Sequence, residues 1–91
     1  IAAAYSALCY AAGINCTLVD GIKAGEDHCW NIIEIDGSYY HVDASAYYDS
    51  GLSRSFMQND EQMKENCNWD TDKYPSCNGA QAYSDIIEEV F

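Results

Sequence analysis

The chain has 91 residues, which suits a single domain (1–91) near the lower end of the size range for a self-sufficient core. Its 15 Asp and Glu face four basic residues (Lys23, Arg54, Lys64, Lys73), a formal charge of −11, which argues against nucleic acid or an anionic membrane as a partner and is compatible with steering of cationic substrates. Eight Tyr and two Trp supply packing bulk, against disorder, and neither a bilayer-spanning apolar run nor a signal-peptide pattern is present.

"IAAAYSALCYAAG" reads as a helix, with Ile1, Ala4, Tyr5, Leu8, Ala11 and Ala12 on the i, i+3, i+4, i+7 stripe and Gly13 as its stop. No Ser, Thr, Asp or Asn precedes the first turn, so the helix start is expected to be uncapped, as if residues were missing upstream. "INCTLVDG" follows as a short strand, with Gly21 beginning a turn and "KAGED" a polar loop. Strands are expected over about 28–35 and 38–44, joined by Asp36-Gly37, a strong two-residue hairpin signal. Residues 45–56 read mostly as loop, and "NDEQMKEN" as a short helix capped by Asn59 or Asp60. "CNWDTDKYPSCNG" is turn-rich and holds the one proline, Pro75; "AYSDIIEEVF" fits either a last strand or an amphipathic helix.

The five cysteines (Cys9, Cys16, Cys29, Cys67, Cys77) are odd in number and lack CxxC spacing, which argues against a zinc ribbon. Most are expected to be small buried hydrophobes. The one bridge the spacing suggests joins Cys67 to Cys77.

The chemistry-bearing stretch is "HCWNIIEIDGSYYHVD", residues 28–43. A two-residue turn at Asp36-Gly37 sets Ile35 opposite Ser38, Asp43 opposite Trp30, and His28 opposite Ser45. His28, Trp30 and Asp43 then share one face, and diagonal neighbours stand roughly 7–8 Å apart at the backbone, close enough for imidazole and carboxylate to meet. A one-residue slip would send the two side chains to opposite faces. His41 points to the same face and competes for the role of base. A histidine oriented by a carboxylate is two-thirds of a nucleophilic triad. The alternative is that either histidine is merely a polar strand residue.

"HCWNIIEIDGSYYHVDAS" resembles the transglutaminase-like superfamily, whose bacterial members carry H-A-W-N, a hydrophobic strand, D-G-x-W/Y-Y-H-V-D and then x-T. The resemblance extends to "AAAYSALCYAAGINCTLVDG" and to "SFMQNDEQMKENCNWDTDKYPSCN", covering about residues 1–78. It implies an α+β, papain-like transglutaminase core: an N-terminal helix on a small antiparallel sheet, with a short helix towards the C-terminus. It also implies a Cys-His-Asp triad in which His28 is the base and Asp43 its orienting partner, while His41 only accompanies them. The nucleophile of the C-x-G-Y/F motif would fall three residues before Ile1, which matches the aromatic of that motif. None of the five cysteines present matches it. Trp30 and Ser45 fall at positions that support the site or line the substrate groove. The chain departs from the family at Ala46, where the pattern has Trp, at Ser45, where it has Thr, and in "AYYDS", where Asp49 alone stands for an acidic pair.

The activity so implied is cysteine-dependent acyl transfer or hydrolysis on a glutamine side-chain amide or a peptide bond, with a protein or peptide as substrate and no cofactor. As written, the chain lacks the nucleophile and is expected to be inactive alone. The rival expectation is a non-catalytic binding or structural module of the same fold. "DTDKYP" begins like a calcium loop at Asp70 and Asp72, but Tyr74 and Pro75 replace its next ligand and glycine, so no metal site is expected. An uncapped helix start and open sheet edges would favour a homo-oligomer. The resemblance leans towards bacterial surface or exported proteins.

Overall fold

Two tight turns, Ala24-Gly25 and Asp36-Gly37, fold the chain into a meander. All four residues have positive φ, between 51° and 82°, the signature of the type I′ turn, whose twist matches that of the strands it joins. In the computed structural model, which describes residues 1–46 and 57–78, the turns connect β1 (Cys16–Lys23), β2 (Glu26–Ile35) and β3 (Ser38–Val42). A two-residue strand, β4 (Cys67–Asn68), pairs with Ile22 and Lys23 on the outer side of β1. The sheet order is β3-β2-β1-β4, with antiparallel neighbours throughout. The chain is thus an α+β domain with an N-terminal helix and a four-stranded antiparallel sheet.

The β2–β3 register is the expected one, Ile35 opposite Ser38 and Asn31 opposite Val42. β3 ends at Val42, and Ala44–Ala46 form a 3-10 helical turn directly after Asp43. Gly21 does not begin a turn. It lies inside β1 opposite His28, and the strand continues to Lys23, so "KAGED" is the end of one strand, a turn and the start of the next. Positions 47–56, including Asp49, and the segment 82–91 lie outside the described residues.

Core residues pack on both faces of the sheet, although Leu18 and Ile22 of β1 stay exposed. Val19, Trp30 and Ile32 pack with Met63, Cys67 and Cys77 on one side. Ile33, Tyr40 and Val42 pack with Cys9 and Met57 on the other. Helix α1 (Ala2–Ala11) lies on this second face, and its start has no side-chain cap, as expected. The stripe it turns inward differs from the expected one. Cys9 is its buried residue, with Ala2, Tyr5 and Ser6 half-buried, whereas Leu8 and Ile1 are 70% and 66% exposed. Alanine at many positions makes this helix apolar nearly all round, so periodicity alone admits two stripes. The contact that decides is polar: Asn31 Nδ2 donates to Ser6 Oγ at 2.7 Å.

The short helix α2 (Asp60–Met63) is capped by Asn59, whose side chain accepts from Gln62 N at 2.8 Å while Gln62 Oε1 accepts from Asn59 N at 2.9 Å. This reciprocal box satisfies two otherwise orphaned donors and releases Asp60 for another task. Cys67 and Cys77 are both buried in one core cluster but remain free thiols, so the bridge suggested by their spacing is not formed.

Candidate functional site

His28 stands on β2 beyond the last rung shared with β3, and Asp43 stands just past the end of β3. The hairpin register therefore brings them together at its open end. His28 Nε2 lies 3.0 Å from Asp43 Oδ2. Their side chains are 24% and 4% exposed, so the imidazole reaches solvent while the carboxylate does not. Ser45, on the 3-10 turn, donates to Asp43 Oδ1 at 2.6 Å, with its hydroxyl 3.4 Å from His28 Nε2.

A third donor completes the carboxylate's surroundings. Lys23 Nζ lies 2.9 Å from Asp43 Oδ2, the same oxygen that His28 engages. Burial acts to raise the Asp43 pKa, but the hydrogen bonds from Ser45, Lys23 and His28, together with the charge of His28, outweigh it and hold the carboxyl below its ordinary value. Asp43 is therefore an anion at neutral pH. An anionic acceptor at Nε2 favours the tautomer protonated there, leaving the Nδ1 lone pair free; Nδ1 has no partner among the described residues.

Trp30 organises the layer beneath. Its indole is fully buried and stacks under His28 with ring centroids 6.0 Å apart and planes 25° apart. It crosses directly over Gly21, where a Cβ would stand 2.3 Å from Trp30 Cη2 and 2.6 Å from Asn68 O. Trp30 thus supports the histidine from inside.

Two cavities open beside His28. One of about 260 Å³ lies between Ile1 and Ala2 at the start of α1 and His28, Asp43 and Ser45. The other, about 600 Å³ and more open, is lined by Asp20, Gly21, Ile22, Asp27, His28 and Cys29.

His41 occupies a different environment. It is fully buried and edge-on to Trp69, with centroids 4.7 Å apart. Trp30 Nε1, which can only donate, donates to His41 Nδ1 at 2.9 Å. His41 Nε2 then carries the proton and donates to Asp60 Oδ1 at 2.7 Å. Asp60 Oδ2 accepts from Cys77 N at 3.1 Å. Burial depresses the His41 pKa, with Asp60 opposing. The ligand atoms of His41, Asp60 and Cys77 all lie within 4.8 Å of one another, yet metal ligation at Nε2 would require an imidazolate while Trp30 holds Nδ1. Burial, reinforced by Asp60, also pushes the Cys77 thiol up to about 12, which disfavours a thiolate ligand. This cluster is a hydrogen-bonded post that ties α2 and the 70–78 loop to the sheet.

No cysteine of the chain partners His28 among the described residues. Cys9, Cys67 and Cys77 are buried, and burial raises the pKa of Cys16 and Cys67. Cys29 is exposed but points away from His28, and its thiol donates to Asp20 Oδ1 at 3.0 Å. That bond favours the protonated thiol and raises its pKa. In "DTDKYP", Asp70 Oδ1 accepts from Asp72 N at 3.1 Å and Asp70 O from Lys73 N at 3.1 Å, so the stretch is a self-bonded turn.

Two residues of the site escaped the sequence reading, Lys23 and Gly21. The signal for both was the Ala-Gly pair at 24–25. Taken as a two-residue turn, it sets Gly21 opposite His28 and places Lys23 on the same face. Comparison of the chain with protein-family models, with curated proteins and with solved structures finds no match.

Proposed function

We propose that this domain carries the His-Asp half of a transglutaminase-like, papain-like acyl-transfer site, acting on a glutamine side-chain amide or a peptide bond. The observation that carries the reading is the His28–Asp43 pair at 3.0 Å, on the wall of a cavity whose other wall is the start of α1. A helix start is where free N–H groups and the helix dipole lower a thiol pKa. The nucleophile in this reading is a cysteine three residues before Ile1 in the full-length protein.

In the proposed reaction His28 Nδ1 takes the thiol proton, and the resulting imidazolium is stabilised by Asp43 through Nε2–H. The thiolate attacks the amide carbonyl, and the C–N bond breaks as His28 returns its proton to the leaving ammonia or amine. An incoming amine or water then cleaves the thioester, giving a new amide or an acid, with His28 again accepting the proton. Ser45 and Lys23 keep Asp43 ionised throughout.

The test is site-mapped alkylation of the full-length protein near pH 6, where ordinary thiols are protonated. One cysteine upstream of Ile1 should label fastest and slow markedly in His28→Ala. If the upstream position holds no cysteine, or its labelling ignores His28, the domain is instead a non-catalytic module of this fold.

A further inference from the structure

Lys23 and His28 both lie on Asp43 Oδ2, at 2.9 and 3.0 Å, so the two cationic centres stand at most about 6 Å apart. The fold leaves Lys23 little choice of position. Its backbone is paired to Glu26 on one side and Cys67 on the other, and its side chain is 30% exposed. Such a contact is more than a surface ion pair, because the carboxylate it meets is 4% exposed and has another client.

We propose that Lys23 is a positioning residue of this site: its ammonium shares the Asp43 oxygen with His28, restrains the imidazole from binding a second proton, and so keeps His28 in the neutral form that accepts one. The proposal rests on reading His28 and Asp43 as a base and its orienting carboxylate. One anionic oxygen facing two cations stabilises each less than it would stabilise either alone, and the cations repel one another. Lys23 thereby holds Asp43 ionised and also limits how strongly Asp43 holds an imidazolium. Other titratable groups lie around this corner: Glu26 opposite Lys23 and Cys67 on β4 are its neighbours, while Asp20, Asp27 and Cys29 alternate to the other face of the sheet and line the open cavity beside His28. Lys23 is the one cationic side chain among them, so its removal takes away the only positive side-chain charge beside His28 there.

The experiment is an NMR titration of the histidine ring protons in the full-length protein, with the His28 signal assigned by its loss in His28→Gln. At a fixed pH on the titration limb, the imidazolium-to-imidazole ratio of His28 should rise roughly tenfold in Lys23→Met, the effect of removing one unit charge about 6 Å away at a partly exposed site. Lys23→Arg should stay within about twofold of the wild type, since it restores the charge. Lys23→Gln keeps a neutral donor for Asp43 and should behave like Lys23→Met; it also serves if the methionine variant does not fold. An unchanged ratio in a folded Lys23→Met or Lys23→Gln overturns the proposal. This readout is separate from the alkylation test, so a shifted ratio without a reactive upstream cysteine would sink the acyl-transfer reading alone.

Discussion

Gly21 is the position where one added carbon should do most harm. An alanine Cβ there would meet Trp30 Cη2 at 2.3 Å, Trp30 Cζ3 at 2.7 Å and the Asn68 carbonyl oxygen at 2.6 Å. Neither neighbour can yield cheaply. Trp30 is pinned by its bond to His41 and by the core around it, and Asn68 is held in the β1–β4 ladder. Overpacking a tight core usually costs about 1–3 kcal/mol, occasionally more. Contact with both a backbone atom and a locked indole places Gly21→Ala at the upper end. At roughly 4–8 °C per kcal/mol for a domain of this size, about 3 kcal/mol lowers Tm by roughly 12–24 °C. Thermal melts followed by far-UV circular dichroism, with near-UV signals to monitor Trp30, measure this directly. A loss under about 4 °C with an unchanged near-UV spectrum would refute the packing argument, because it would mean that Trp30 does not rest on Gly21.

Ser45→Ala removes the 2.6 Å hydrogen bond to Asp43 and should cost about 1.5–3 kcal/mol, the usual net range for a hydrogen bond to a charged group. It should also move the Asp43 carboxyl titration to higher pH, seen by carbon-detected NMR; an unmoved carboxyl would show that Lys23 and His28 alone hold it down. Acid should destabilise the fold in two stages. Burial depresses the His41 pKa, so the unfolded chain takes up a proton there first; this stability is complete above about pH 6.5, the value of a free imidazole, and is lost as pH falls through the depressed folded value. The Asp43 pKa is also depressed, so its contribution holds above about pH 4, near the free carboxyl value, and is lost as pH falls through the folded one. Melts between pH 7.5 and 5 should show Tm falling before any carboxyl titrates, and a flat Tm over that window would contradict the burial of a neutral His41.

The hairpin was legible because Asp36-Gly37 fixes both turn type and register, and register alone places His28, Trp30 and Asp43 on one face. The capped helix at Asn59 was legible for a similar reason, since its signal is local. What the sequence hid depends on contacts between distant segments. An Ala-Gly turn lacks the Asn or Asp that usually announces a hairpin, so the sequence pattern ends β1 two residues early and puts Lys23 in a loop. The inward stripe of α1 is hidden because alanine supplies no contrast between faces, and the bond that fixes it comes from Asn31, 25 residues away from Ser6. The exposure of Trp30 was equally undecidable from pattern. A tryptophan beside a candidate base reads as a wall or a floor until the glycine beneath it is known.

The hairpin carries two histidines, one paired to Asp43 at its own open end and the other to Asp60 on α2, and Trp30 touches both rings. They differ in what is left over after the carboxylate is satisfied. At His41 the second ring nitrogen accepts the indole proton of Trp30, so both nitrogens are committed and the ring is closed to water. Such a histidine joins elements and cannot take a proton without losing that bond. At His28 the same tryptophan offers its ring face rather than its N–H. It supports the imidazole without consuming a lone pair, and the ring stays partly open beside two cavities. General-base chemistry needs an unprotonated nitrogen, a partner on the other nitrogen and room for a reactant. His28 meets all three conditions; His41 fails the last, because its unprotonated Nδ1 is already taken by Trp30 and its ring is fully buried. The placement of one indole, face to one histidine and N–H to the other, therefore separates a site that can react from a post that holds it in place.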